Sequence, residues 1–313
     1  MTHSSRPPAP HGFRKQPRDK RKSRARYLLE YLLFLILAGL TRALPRVTAL
    51  RLGAKLGELA RLTQKKRVTT ASDNLRRAYP EKSPQEIEAD VRAVFRNLGV
   101  GAVEMLRLDL FRGQADLDRY FTLVGMEHLD QAHAMGKGVL LLTAHIGFWE
   151  VGTFLIPQLG FPVDFVAKRM KNPYVDRYFE KLREAAGGRC LESKKGARRI
   201  LRALGQKHMI AVLLDQHISR SEAVPVDFFG RKAWTTPIIT QLAMKQGIPI
   251  VPVYSYRTED FHYEIIAQPP ILFADEPGEE AVIRNTAHLS ANIEAAVRRA
   301  PTQWFWVHRR WRD

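Results

Sequence analysis

With 313 residues, 45% of them hydrophobic, the chain is long enough to bury a full core, and its formal charge of +18 argues against a cationic partner. The single cysteine, Cys190, excludes an internal disulfide, and no CxxC, Cys/His or HExxH spacing offers zinc a ligand set. The charge points to nucleic acid, an anionic membrane, a phosphorylated lipid or an acidic carrier protein, and does not choose among them.

Residues 1–26 carry nine Lys and Arg against the single Asp19, with many Pro and Ser, and are expected to form a disordered basic tail. The next segment changes character abruptly, reading YLLEYLLFLILAGL from 27 to 40 before Thr41, Arg42 and Pro45 end the run. Fourteen residues are marginal for a span that needs about 20, so the reading favours an anchor helix over 27–44 that lies in or dips into the inner leaflet. Residues 46–112 read as helical. Ser83, Pro84 and Glu86 form the start signal of a capped helix whose apolar stripe runs through Ile87, Val91, Val94, Phe95, Leu98 and Val103.

From about residue 120 short apolar runs at 139–143, 163–166, 210–214 and 248–253 alternate with helical stretches near 147–159, 173–186, 196–205 and 236–246. A more polar strand at 263–266 and a last helix at 278–299 complete the pattern. Short continuous apolar strands between helices predict an α/β fold with a largely parallel central sheet flanked by helices, over a body spanning 45–313.

The stretch GVLLLTAHIGFWEVG runs from a strand through His145 toward a helix containing Glu150. On one helix five residues separate side chains by about 140°, so His145 must sit in the turn before the helix for Glu150 to reach it. Such a turn at the carboxyl end of a parallel strand is where open α/β sheets bind ligands. The spacing recurs at His217/Glu222 and His308/Asp313, but only His145 has an apolar strand before it and a helix after it. A carboxylate on one imidazole nitrogen fixes the tautomer and makes the other nitrogen a general base. There is no G-x-S-x-G elbow, and Cys190 lies in no catalytic setting, so an acceptor hydroxyl activated for direct attack is the simplest chemistry.

These residues carry a resemblance. TAHIGFWE, KRMKNP at 168–173, LREAAGG at 182–188, LLDQH at 213–217, VDFFGRKAWTTP at 226–237, QWFWVHRRW at 303–311 and NLRRAYPE at 74–81 resemble, in order, the late acyltransferases of lipid A biosynthesis within the lysophospholipid acyltransferase superfamily. The resemblance implies a glycerolipid acyltransferase-like domain at 45–313, with His145 as base and Glu150 as its partner. Arg169, Asn172, Arg183 and Asp215 are implied as substrate-binding or supporting residues, Asp215 orienting the site from a strand end. It implies acyl carrier protein, or else acyl-CoA, as co-substrate, no other cofactor and no metal. The implied acceptor is a lipid A precursor or another anionic glycolipid or phospholipid, with phosphatidylinositol mannoside as an alternative. The implied location is the cytoplasmic face of the inner membrane. A nucleic-acid-binding protein is the competing class, but the chain has no helix-turn-helix, zinc finger or RNP signature. Trp304, Trp306, Trp311, Arg309 and Arg310 read equally well as an interfacial face or a packed C-terminal segment.

Overall fold

The computed structural model describes residues 24–167, 169–192 and 196–312. Most of the basic tail, residues 1–23, lies outside the described residues. Four helices come first: α1 (Arg24–Ala43), α2 (Arg46–Thr63), α3 (Lys65–Ala78) and α4 (Pro84–Met105). The predicted cap at α4 is present. The Glu86 amide donates to Ser83 Oγ at 3.3 Å, and the Ser83 amide donates back to Glu86 Oε2 at 2.8 Å, which satisfies two otherwise orphaned donors. The apolar stripe of α4 is buried at Ile87, Val91, Val94, Phe95 and Val103.

Helices α2 and α4 approach closely because glycines meet between them. A Cβ on Gly57 would lie 2.0 Å from the Phe95 carbonyl oxygen, and one on Gly99 would lie 2.0 Å from the Gly53 carbonyl oxygen. Only a residue without a side chain tolerates that backbone contact.

The body that follows is built on seven strands, β1 (Phe121–Val124), β2 (Val139–Thr143), β3 (Val163–Ala167), β4 (Arg189–Glu192), β5 (Met209–Leu213), β8 (Ile250–Arg257) and β9 (Tyr263–Ala267). Their order is β1-β9-β8-β2-β5-β3-β4. Pairing is parallel except between β8 and β9, so β1 and β9 run against the other five. The predicted largely parallel α/β sheet is therefore present. β2 and β5 are its centre, and Val139, Leu140, Leu142, Met209 and Ile210 are completely buried, as strands covered on both faces require.

Three features depart from the sequence expectation. The helix expected at 147–159 begins as a 3-10 turn at Trp149–Val151 and becomes α-helix α7 only at Gly152–Gln158. Strands β1 and β4, four residues each, were too short to register as apolar runs. An additional antiparallel pair, β6 (Val224–Phe228) with β7 (Arg231–Thr235), lies within the VDFFGRKAWTTP block. The remaining helices are α5 (Gly113–Tyr120), α6 (Glu127–Ala134), α8 (Pro173–Ala185), α9 (Gly196–Gly205), α10 (Ile238–Gln246) and α11 (Glu279–Arg299).

The apolar run 27–40 lies within α1. Among the described residues no helix is long and apolar enough to cross a membrane. One side of α1 packs on α8 through aromatic contacts, Tyr31 with Tyr174 at 5.7 Å and Phe34 with Tyr178 at 5.0 Å between ring centroids. Leu29, Leu33, Ile36 and Leu40 remain 52–60% exposed, and Leu52, Leu56, Leu59 and Leu62 of α2 are exposed as well.

Candidate active site

β2 and β5 are parallel neighbours in a register that pairs Thr143 with Leu213. His145 and Asp215 each follow two residues later, so adjacent strand ends deliver them side by side. The Asp215 carboxylate grips the histidine twice. Oδ1 accepts from His145 Nδ1 at 2.8 Å, and Oδ2 accepts from the His145 backbone amide at 2.9 Å. Oδ2 also accepts from Trp304 Nε1 at 2.7 Å. With Nδ1 donating, the proton sits there, and Nε2 presents its lone pair to the cavity beyond. The Gln216 side-chain amide donates to that nitrogen at 3.3 Å.

The turn is held from behind. Gly147 has φ +55°, and a Cβ there would lie 2.2 Å from the Ser255 carbonyl oxygen on β8, so the close approach needs glycine. Its amide donates to the Gln303 carbonyl at 3.1 Å, and Ile146 forms an antiparallel bridge with Trp304. The C-terminal segment is thus a packed support of the site, with Trp304 and Trp306 buried. Arg310 is buried too, donating to the Gln216 and Trp234 carbonyls at 3.2 and 2.9 Å. Burial pushes its pKa down to about 10.

Electrostatics follow the same geometry. Burial raises the cost of a charged Asp215, but the His145 charge, hydrogen bonds from its side chain and amide, and the Trp304 indole together hold the carboxyl down at about 2. Burial opposes protonation of His145, yet the Asp215 charge and hydrogen bond outweigh it, helped by the more distant Glu150, and raise the imidazole above its ordinary value. Nearby His308 goes the other way: burial and the neighbouring His145 and Arg310 push it down to about 4, against the opposing pull of Asp215.

Glu150 does not make the expected contact with His145. Its carboxylate is taken by Arg183 of α8 in a two-pronged pair, Nε to Oε2 at 2.8 Å and Nη2 to Oε1 at 2.7 Å. The physical reason is the 3-10 turn at Trp149–Val151, which directs Glu150 toward α8, while Asp215 already occupies Nδ1. Arg183 also lies over the Phe165 ring at 5.3 Å.

The other sequence candidates fall at different distances from the chemistry. Asn172 caps α8, accepting from the Tyr174 amide at 3.0 Å, and donates to the Tyr27 carbonyl of α1 at 2.9 Å. It ties two helices together and does not line the cavity at His145. Arg169 is exposed and is likewise absent from that lining, whereas its neighbour Met170 is part of it. Gln216 and Trp304 were not singled out as site residues. Gln216 adjoins Asp215 in the LLDQH block, and Trp304 lies in the C-terminal block whose two readings sequence alone left open.

Two cavities meet at this site. One, of about 400 Å³, is lined by His145, Thr143, Gln216 and the ends of β3 and β5. The other, of about 610 Å³, is predominantly apolar and runs between α1, α2 and α4 past Leu37, Leu56, Phe95 and Leu98. Trp149, Glu150, Met170 and Arg183 belong to both linings. The pocket at His145 and the apolar pocket thus share one wall, and both have volumes typical of small-molecule sites.

Comparison with known proteins shows the family. Residues 17–313 match the family described as bacterial lipid A biosynthesis acyltransferase. Similar proteins include the lipid A biosynthesis acyltransferase of Haemophilus influenzae, 26% identical over 82% of this chain and 79% of the relative. The lipid A biosynthesis lauroyltransferase of Escherichia coli is 28% identical over 86% of this chain and 87% of the relative. The phosphatidylinositol mannoside acyltransferase of Mycolicibacterium smegmatis is 28% identical over 46% of this chain and 48% of the relative. The family match spans the whole catalytic body, including both strands that deliver His145 and Asp215, and the chain therefore belongs to the bacterial lipid A biosynthesis acyltransferase family and is an acyltransferase.

Proposed function

We propose that this enzyme transfers a fatty acyl chain from an acyl thioester, carried by acyl carrier protein, to a hydroxyl of a lipid A precursor, with His145 as general base and Asp215 as the carboxylate that orients it. The observation that carries the reading is the imidazole on the wall of the smaller cavity, fixed at Nδ1 by Asp215 and facing the Gln216 side chain at Nε2, with the apolar cavity sharing the adjoining wall.

In the reaction the acceptor hydroxyl displaces the Gln216 amide from Nε2 and gives its proton to that nitrogen as its oxygen attacks the thioester carbonyl. The buried Asp215 stabilises the imidazolium. Collapse of the tetrahedral intermediate breaks the carbon–sulfur bond, and the imidazolium returns its proton to the leaving thiolate. The acyl chain lies in the apolar cavity between α1, α2 and α4. The Glu150–Arg183 pair supports the wall between chain and base, so Glu150 acts through position and charge and not as the partner of His145.

The enzyme attaches to the cytoplasmic face of the inner membrane without crossing it. Support comes from the exposed leucines of α1 and α2, such as Leu29, Leu33, Leu59 and Leu62. The nine basic residues of the first 26 add attraction to anionic headgroups of about 1 kcal/mol for each one near the surface. Mass spectrometry of cellular lipids with and without active enzyme tests the proposal. It should reveal a lipid A species heavier by one acyl ester. Gain of the acyl group on a phosphatidylinositol mannoside or another lysolipid, with lipid A unaltered, would replace the acceptor.

A further inference from the structure

A third, smaller cavity of about 110 Å³ lies between the start of α2, the end of α4 and α5, lined by Arg46, Arg107, Glu104, Asp116 and Tyr120 among others. It faces the same end of the sheet as His145, since Tyr263 on its wall begins β9, which runs antiparallel to β8. Aromatic packing separates the two sites, with Phe111 against Phe148 at 6.3 Å between ring centroids.

The charges around this cavity are unevenly matched. Glu104 is fully engaged: Arg257 binds both of its oxygens, and the Tyr263 hydroxyl donates to Oε1 at 2.7 Å. Asp109 is engaged by Arg42. Asp116 accepts from the Arg112 amide. Arg46 and Arg107 have no carboxylate partner among the described residues. Arg46 donates to the Phe261 carbonyl at 2.6 Å and lies over the Tyr120 ring at 4.4 Å. Arg107 donates to the Thr41 and Leu44 carbonyls, the latter at 3.1 Å. Burial lowers the Arg107 pKa, and the charges of Arg42 and Arg46 lower it further. Both arginines are half-buried and line the cavity. Planar guanidinium forks suit an oxyanion, and the first turn of the 18-residue α2 adds its positive end.

What lies beside the cavity indicates where the anion comes from. Leu40 at the end of α1 and Val47 at the start of α2 are exposed and flank Arg42 and Arg46 in sequence. Arg46, which lines the cavity, is thus next in sequence to exposed apolar side chains, and cationic groups beside apolar ones suit the level at which headgroups sit on a membrane surface. We infer that Arg46 and Arg107 bind a phosphate group of a lipid headgroup in this cavity, at a site separate from the catalytic pocket. The inference deepens the acyl-transfer reading and assigns the cavity first to the acceptor's own phosphate.

The test uses the full-length enzyme and two acceptors, a phosphorylated lipid A precursor and the same glycolipid with the phosphate removed. Both are presented in neutral detergent with acyl carrier protein thioester. Wild type should prefer the phosphorylated acceptor in kcat/KM, and Arg46→Gln should reduce that preference about tenfold through KM, as loss of a charge-assisted contact implies. Arg107→Lys should reduce it as well while keeping the charge that clasps the end of α1, and thermal melts identify any variant that has simply unfolded. A second arm measures flotation with vesicles of phosphatidylcholine alone or with phosphatidic acid. If the acceptor preference persists but both variants lose the extra binding given by phosphatidic acid, the phosphate is that of a bulk lipid and the site stands. If preference and vesicle binding both match wild type, the site does not exist. Should wild type acylate neither acceptor, the acyl-transfer reading falls, and the vesicle arm still decides the phosphate site.

Discussion

Replacing Asp215 by Asn probes the dyad with minimal change in shape. Asp215 is 2% exposed, and its two oxygens receive three donors, from Nδ1 and the amide of His145 and from the Trp304 indole. Asparagine keeps one acceptor oxygen, which the backbone amide and the indole retain, and turns its NH2 toward Nδ1. The imidazole must then accept at Nδ1 and carry its proton on Nε2, the wrong tautomer for a base. Loss of general-base catalysis costs about 10²–10⁴-fold in rate, equivalent to about 3–5 kcal/mol of barrier. The pH profile supplies an independent sign. In wild type Asp215 raises the imidazole above its ordinary value, so the acid limb of kcat/KM should lie higher than that of an unperturbed histidine base. Without the carboxylate, burial dominates and the limb moves downward, so residual activity should persist to lower pH. Stopped-flow thiol release with acyl carrier protein thioester, measured from pH 5 to 9, reads both effects. A folded Asp215→Asn enzyme within threefold of wild type, with its acid limb in place, would refute the dyad.

The same structure makes further predictions. Arg183→Lys keeps a charge but loses the two-pronged hold on Glu150, and should lower kcat about tenfold, with chain-length preference altered because Arg183 lines both cavities; initial rates with donors of graded acyl length check this. Gly99→Ala forces a Cβ onto the Gly53 carbonyl oxygen and should cost about 1–3 kcal/mol of stability in denaturant titrations, with weakened use of long acyl donors. Changing Leu29, Leu33, Ile36 and Leu40 together to Gln should move the enzyme to the soluble fraction while sparing transfer to a detergent-dispersed acceptor, measured by sedimentation and rate. Deleting α1 is a less clean test of attachment. Leu37 and Thr41 line the apolar cavity, and Phe34 packs on α8, so truncation would damage the site as well.

Much of this was legible in the sequence because the signals were local. The parallel core followed from continuous apolar runs such as Val139–Thr143, and the cap of α4 from Ser83 and Glu86 three residues apart. His145 stood out because a buried strand precedes it. Its partner was harder to assign, since spacing along the chain favoured Glu150, whereas the dyad depends on two strands 70 residues apart lying side by side. The 3-10 turn that directs Glu150 to Arg183 has no sequence signature comparable to a helix cap. Trp304 was ambiguous for the same reason: an indole that donates to a buried carboxylate and one that lies at a membrane surface look alike until the chain is folded. The reversed β9 and short edge strand β1 also escaped, because direction is a property of pairing and not of composition.

The measurement that bears most directly on the central claim is acyl transfer by purified His145→Ala enzyme, assayed by mass spectrometry with lipid A precursor and acyl carrier protein thioester. Its fold should be verified by a cooperative melt. Wild type should convert the precursor to a species one acyl chain heavier, and the variant should form that product about 10²–10⁴-fold more slowly, with acceptor KM little altered. Product formation at the wild-type rate by the folded variant would contradict the assignment of His145 as the base.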